Sequence, residues 1–492
     1  MLSPPSVSAY RLLGAVGATL LAVAGCGAGA LPERGALWWT SLRHLDRPAL
    51  LCGYAGLTLL TVAWWWAGSD LRRPAAGTAV GHPRFPGVPS AQLGNPWSGR
   101  TDRRGAAITL ACWAGPLLLA PPLFSRDAYS YLAQGAMVLA DLDVYQFGVA
   151  HLGGRLAAEV PQMWQHTPAP YGPVFLVLAA GVSALTGGHL ALGVLALRVV
   201  ALAGVALLVA NLPRLARHGG VDPAAALWLG VLNPLVPLHL VAGAHNEAVM
   251  LGLLVVGLRL AVARRFAAAT VLVTLAALVK VPALLGLLVV GALAVRRVGV
   301  RVAVARVAGV AVATGTAVTW ATGIGYGWIG ALGAPAYRHS WSISTALGRV
   351  ARRSTEALGL DLGAAPMRAG VALGLLGVLA AAGAVWRYRH RLGPAYAVSL
   401  VLLAVALLGP ATRPWYALWG LVLLAAAAPP GRARHVAALG AAVLAFVTLP
   451  SGFGPDAGQL LLATAGVLAG LVAVAVLRLL TPPPRLALAV PR

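Results

Sequence analysis

Apolar stretches of about 17 to 25 residues, the length that carries a helix across hydrocarbon, recur from one end of the chain to the other. Their pattern predicts spans near residues 8–27, 48–67, 106–123, 190–213, 222–242 and 246–263. Further spans are expected near 302–322, 367–386, 393–411, 414–428, 433–450 and 458–480. The expected fold is an all-α polytopic membrane protein, a single multi-span transmembrane domain over residues 1–492 with about 12 full spans.

The segments between spans supply the orientation. Arginine clusters at Arg72, Arg73, Arg84, Arg100, Arg103 and Arg104, at Arg214 and Arg217, at Arg264 and Arg265, at Arg296, Arg297 and Arg301, at Arg387, Arg389 and Arg391, and at Arg432 and Arg434 belong on the cytoplasmic face. Placing all of them there makes two elements irregular. Residues 171–187 become a re-entrant or interfacial helix, and 267–295 becomes a pair of short helices turning near Lys280-Val281-Pro282. A basic cytoplasmic loop then covers 68–105, and two large outer loops cover 124–170 and 323–366. Of 13 acidic residues only Asp70, Asp102 and Asp222 fall inside, so polar chemistry gathers on the outer face.

Composition removes other classes. With 59% hydrophobic and 10% charged residues among 492, the chain is far more apolar than a soluble domain. The net charge of +24 sits in the clusters that orient helices and meet anionic headgroups, so a lipid bilayer is the expected partner and nucleic acid is not. Cys26, Cys52 and Cys112 lie in apolar segments and offer neither a disulfide framework nor metal spacing. Val23-Ala24-Gly25-Cys26 resembles a lipoprotein cleavage site, but only Arg11 precedes it as a charge, and an uncleaved first helix is expected. No Walker pattern or zinc spacing is present.

Candidate chemistry lies in the outer segments. Asp127, just beyond the third span, has two readings: a partly desolvated carboxylate acting as general base, or a cap on an interfacial helix. Asp143 reads as a turn residue or an acceptor contact, and Thr167-Pro168-Ala169-Pro170-Tyr171-Gly172-Pro173 as a rigid entry to the re-entrant element. His245 and Asn246 suit hydrogen bonding to a phosphate or sugar, with an ordinary polar turn opening a helix at Glu247 as the rival. Lys280, the one lysine among 37 basic residues, lies inside an apolar run, where an ammonium marks a functional site or else snorkels to the interface. Arg413 is an outward arginine, a second phosphate candidate, flanked by Trp415 and Tyr416, which also suit interfacial anchoring. Arg338, His339, Ser340 and Trp341 suit sugar binding.

The ordered set Ser125-Arg126-Asp127-Ala128-Tyr129-Ser130-Tyr131, Thr167 to Pro173, Asn233-Pro234-Leu235 with His239-Leu240, Gly243-Ala244-His245-Asn246-Glu247, Leu278-Val279-Lys280-Val281-Pro282 and Arg413-Pro414-Trp415-Tyr416 resembles a known family. That family is the actinobacterial polyprenol-phosphomannose-dependent α-1,6-mannosyltransferases, MptA and MptB, with the MptB branch closer. The match runs from about residue 105 to 425. The resemblance implies a GT-C glycosyltransferase fold, a plasma-membrane location with the active site facing outward, a polyprenyl-phosphate-mannose donor and an α-1,6-mannan glycolipid acceptor of lipomannan or lipoarabinomannan type.

It implies Asp127 as the catalytic base. Lys280, Arg413, Arg126 and His245 are then the candidates for the donor phosphate, and Tyr129, Asp143, Tyr171, Asn246, Glu247 and Trp341 for sugar or acceptor. The family's third turn residue is usually Asp; here it is Glu247, so the carboxylate is kept but lengthened. A β-linked lipid monophosphate donor needs one base and cations for the departing phosphate, so no cofactor is required and a divalent metal is neither required nor excluded. Two other readings share the lipid-phosphate logic: a GT-C enzyme for another sugar such as arabinose, and a flippase of a polyprenyl-linked sugar. The second would show internal repeats, which are not evident.

Overall fold

The computed structural model describes residues 6–33, 38–70, 103–333, 340 and 342–480. Most of the loop expected at 68–105, together with Arg338, His339 and Trp341, lies outside them. Every regular element among the described residues is helical.

The chain starts with α1 (Val7–Ala28), opened by the Ser6 hydroxyl accepting from the Ala9 N–H at 3.2 Å. α1 packs along α2 (Asp46–Asp70) and α3 (Arg103–Leu119). Arg11 donates from α1 to Thr109 Oγ1 at 2.9 Å and to the Gly105 carbonyl at 3.0 Å, joining these ends. After α3 come α4 (Asp127–Leu139), α5 (Gly154–Ala158) and α6 (Pro173–Thr186). Pro173 opens α6 and Gly187, left-handed at φ 56°, ends it. Its 14 residues rise about 21 Å, short of a 30 Å hydrocarbon core, and α6 lies against α4.

α7 (Leu190–His218) is followed by α8 (Pro223–Gly230), which Asp222 caps by accepting from the Ala224 N–H at 3.3 Å. A continuous span over 222–242 was expected here, and the structure differs. α8 stops at Gly230, Pro234 cannot continue the ladder, and a π-helical segment, Val236–Ala242, meets α9 (Glu247–Val262) at a bend of 111°. The Asn233 side chain stabilises the break, donating to the Leu229 carbonyl at 2.9 Å and accepting from the Leu235 N–H at 3.1 Å. α9 runs against α7 at van der Waals distance, because a Cβ on Gly204 would sit 2.3 Å from the Ala248 carbonyl oxygen.

α10 (Phe266–Ala277) ends before Lys280, whose backbone is extended, and a 3-10 turn at Val281–Leu285 leads into α11 (Gly286–Val298). Then follow α12 (Val300–Thr322), α13 (Ile343–Ala357), α14 (Ala365–Arg387), α15 (Arg389–Leu392), α16 (Pro394–Leu408), α17 (Ala417–Ala427), α18 (Arg432–Phe446) and α19 (Ala457–Leu480). α19 returns to pack on α2. α17, α8 and the π-helical segment are the most enclosed elements, with nearly every residue buried.

Each of the twelve expected intervals holds helix, but only seven described helices are long and apolar enough to cross a bilayer, or eight if the bent pair is one span. One of the seven, Val281–Val298, is the second half of the pair of short helices expected over 267–295.

The breaks release carbonyls that a bilayer cannot solvate. Arg198, fully buried on α7, donates to the carbonyls of Leu118 and Ala120 at 2.6 Å each, Pro121 at 3.2 Å and Ala242 at 2.7 Å. It thereby ties the end of α3 to the end of the π-helical segment. Arg198→Met leaves four carbonyls without that donor and is expected to destabilise the fold by more than about 3 kcal/mol, with Arg198→Lys intermediate. Thermal unfolding in detergent checks this, and an unchanged midpoint for Arg198→Met refutes it.

Candidate active site

The loop after α3 turns sharply into α4. Phe124 adopts a left-handed conformation (φ 63°) with its N–H donating to the Pro450 carbonyl at 2.7 Å. Ser125 Oγ accepts from the Asp127 N–H at 3.0 Å, so a serine, not the Asp127 carboxylate, satisfies the helix start. Arg126 lines the same cavity as Asp127 and is also held by its own partners. It donates to the Leu31 carbonyl at 2.8 Å and forms an ion pair with Glu159 at 3.2 Å, with Glu33 at 3.9 Å. Tyr129 is fully buried and donates to the Ala30 carbonyl at 2.7 Å. Arg126 and Tyr129 thus anchor the loop, and the Asp127 carboxylate stays 29% exposed. It faces a cavity of about 120 Å³ whose walls include Phe124, Trp164, Arg413, Trp415 and Phe453.

The bent pair brings His245 to the same place. Ala244, left-handed at φ 53°, turns the chain so that His245 Nδ1 lies 3.4 Å from Asp127 Oδ2 and 3.3 Å from the Tyr131 hydroxyl. The imidazole stacks on Trp415 with centroids 4.0 Å apart. His239, in the π-helical segment, packs between Phe124 and Trp415 at 5.5 and 5.1 Å. Both ring nitrogens of His239, Nε2 of His245, the whole side-chain amide of Asn246 and Oε2 of Glu247 are buried and make no hydrogen bond among the described residues. Unpaired buried polar atoms are each worth about 1–3 kcal/mol of destabilisation, and here they gather beside one carboxylate.

Lys280 enters from the break between α10 and α11. Its ammonium pairs with Glu247, the first residue of α9, and sits over the rings of Tyr416 at 4.5 Å and of Tyr171 and Trp419 at 5.6 Å. Tyr171 is packed edge-on against Tyr131 at 5.4 Å. Beside it Gly172 lies directly on the backbone of α10's end, where a Cβ would come within 2.2 Å of the Leu278 carbonyl oxygen. Asp143 is not in this group: it accepts from the Tyr145 and Gln146 N–H groups at 2.8 and 3.2 Å, forming a turn. Tyr145, whose phenol is pushed up by burial and then by Asp143, donates to the Tyr171 carbonyl at 3.0 Å.

Arg413 is extended, just before a 3-10 turn at Pro414–Tyr416, and has no carboxylate partner among the described residues. Ser340 is buried and structural, its Oγ accepting from the Thr412 N–H at 3.0 Å, which ties the second large loop to the connection bearing Arg413. No group of three His, Cys, Asp or Glu residues able to hold a metal occurs among the described residues.

The structure therefore gathers Asp127, His245, Asn246, Glu247, Lys280, Tyr171 and Arg413 around one region, uses Arg126, Tyr129 and Asp143 as scaffold, and leaves Trp341 outside the described residues. Arg198 and Trp419 lie outside the residues expected from the sequence. Arg198 carries the same signal as Lys280, an ionisable residue inside an apolar run; His239 had only its place in the motif set.

These features define a polytopic helical membrane protein with an acid, an imidazole and cations around a single recess, the equipment of a group-transfer enzyme. A family model for the N-terminal domain of alpha-(1->6)-mannopyranosyltransferases matches residues 11–296, and one for the MptB C-terminal domain matches residues 344–479. The chain is 34% identical to a probable alpha-(1->6)-mannopyranosyltransferase of Mycolicibacterium smegmatis, over 92% of this chain and 84% of that protein. It is 34% identical to alpha-(1->6)-mannopyranosyltransferase A of Mycobacterium tuberculosis over 87% and 81% of the two chains. It is 33% identical to alpha-(1->6)-mannopyranosyltransferase B of Corynebacterium glutamicum over 84% and 72%. No solved structure matches. The protein belongs to the alpha-(1->6)-mannopyranosyltransferase family, and it is a mannosyltransferase.

Two predictions follow the geometry. Glu247→Gln strands the Lys280 ammonium without its carboxylate and is expected to destabilise by about 3–5 kcal/mol, while Glu247→Gln with Lys280→Met recovers most of that loss. Thermal unfolding of the parent, the single and the double variant decides it; a double variant no better than the single one refutes the pairing. Gly172→Ala, which drives a methyl into the Leu278 carbonyl, is expected to lower transferase activity at least about tenfold by displacing Tyr171 from Lys280. Unaltered turnover would show that this approach is not needed.

Proposed function

We propose that the protein transfers mannose from polyprenyl-phosphate-mannose to an α-1,6-mannan glycolipid acceptor at the outer face of the plasma membrane, within a GT-C fold. The observation that carries this reading is the meeting of Asp127, His245 and Arg413 at one recess, beside Lys280 in its aromatic enclosure.

The acceptor hydroxyl attacks the anomeric carbon of the β-linked donor in line. The new C–O bond forms as the bond to phosphate oxygen breaks, the configuration inverts to α, and the hydroxyl proton passes to the Asp127 carboxylate. His245 Nδ1, 3.4 Å from Oδ2, orients that carboxylate. Polyprenyl phosphate leaves with its charge met by Arg413, which has no competing carboxylate among the described residues. Lys280 is already neutralised by Glu247, so it adds field and position more than net charge. Trp415, which lines the recess, supplies an aromatic contact for the sugar, with Tyr171 behind it and Asn246 as a polar contact. Arginine and lysine suffice for a monophosphate, and the reaction as proposed requires no metal.

Purified protein with labelled polyprenyl-phosphate-mannose and a short α-1,6-mannoside tests this. Asp127→Asn is expected to lower kcat by about 10²–10⁴ with the fold retained, and Arg413→Gln to lower kcat/KM for the donor by about tenfold or more. Full activity of Asp127→Asn would remove it as base. Transfer of arabinose instead of mannose from the matching donor would overturn the sugar assignment, and lipid translocation without transfer would overturn the proposed reaction.

A further inference from the structure

α9 starts at Glu247, beside Asp127's partner His245, and its 16 residues rise about 24 Å before the chain reverses at Ala263–Arg265. Arg264 makes that reversal in a left-handed conformation (φ 65°). α10 starts there, α11 ends nearby at Val298, and α12 starts after Gly299. Between these three helix ends lies a second cavity, of about 560 Å³, the size of a ligand site. Its wall is apolar, built from Phe266, Ala267, Ala294, Val298, Val307 and Val310, and Arg264, Arg265 and Arg306 stand at its edge. None of the three arginines has a carboxylate partner among the described residues. Along α12, Val304, Val312 and Trp320 are exposed apolar residues, the mark of a lipid-facing helix.

We propose that this cavity is a binding site for one anionic diacyl phospholipid, its phosphate held by Arg264, Arg265 and Arg306 and an acyl chain lying between α10, α11 and α12. Charge complementarity selects the headgroup: arginine forks match phosphate oxygens, and basic recesses between transmembrane helices suit acidic lipids. A zwitterionic headgroup would bring its own ammonium to three guanidinium groups. The length of α9 separates this site from Asp127, so a lipid phosphate here is not the reacting one. The proposal does not depend on the identity of the donor or acceptor.

Native mass spectrometry of the full chain in detergent, titrated with dioleoyl phosphatidylglycerol or dioleoyl phosphatidylcholine, tests it. One tightly retained phosphatidylglycerol is expected, with phosphatidylcholine retained at least tenfold less. The triple variant Arg264→Gln, Arg265→Gln, Arg306→Gln is expected to lose that preference. Arg387→Gln, Arg389→Gln, Arg391→Gln, which removes an equal charge elsewhere, is expected to keep it. Should the first triple variant not fold, Ala267→Trp, which fills the cavity and leaves the arginines, is expected to reduce retention by a similar factor. Equal retention of both lipids, equal loss in both triple variants, or full retention by Ala267→Trp would overturn the site. Displacement of the lipid by glycerol phosphate would show that free phosphate suffices, and preference for polyprenyl phosphate would reassign the occupant; either result overturns the proposal.

Discussion

A peptide carbonyl that leaves a helix at membrane depth must find a donor within the protein, because hydrocarbon offers none. This constraint governs the architecture. The chain breaks helical order where α3 ends, again around Asn233 and the π-helical segment, and again at Lys280. Arg198 answers the first two breaks with a single guanidinium, donating to three carbonyls on one side and to Ala242 on the other. A planar fork with five donors does this in one residue; an ammonium cannot reach both strands of chain with the same geometry. The loop that carries Asp127 and the turn that carries His245 follow directly from these two pinned ends.

The recess is consequently assembled from remote parts of the sequence held in strained but fixed conformations. Phe124 and Ala244, neither of them glycine, adopt left-handed backbone conformations a few residues before Asp127 and immediately before His245. Each is a conformation that side chains of this type adopt only when the surroundings enforce it. The stack of His245 on Trp415 and the edge contact of Phe124 on His239 show what enforces it: packing between three separate chain segments.

Charge is divided with similar economy. Buried cations near the recess are either spent on structure, as Arg198 and Arg126 are, or balanced, as Lys280 is by Glu247. Of the two arginines lining the cavity with Asp127, Arg126 is paired with Glu159 and Arg413 has no carboxylate partner among the described residues. Glu247, the first residue of α9, meets the Lys280 ammonium. A charge that reads in isolation as a free phosphate ligand is therefore half of an ion pair.

Apolar run length and the placement of arginines determined, from the sequence alone, the membrane-embedded helical class, the short element at α6 and the break at Lys280, since these depend only on local hydropathy, proline and charge. The ordered motifs marked the family. What the sequence did not determine was partnership. Asn233 and Pro234 break a predicted span through a local cap that hydropathy does not register, the Asn233 side chain bonding Leu229 and Leu235, whereas Arg126 and Tyr129 became scaffold because folding supplies their carbonyl acceptors at Leu31 and Ala30. Hydropathy is summed along the chain, whereas hydrogen bonds and ion pairs such as Arg198 to Ala242 and Lys280 to Glu247 join residues 44 and 33 positions apart, and only the tertiary structure decides them.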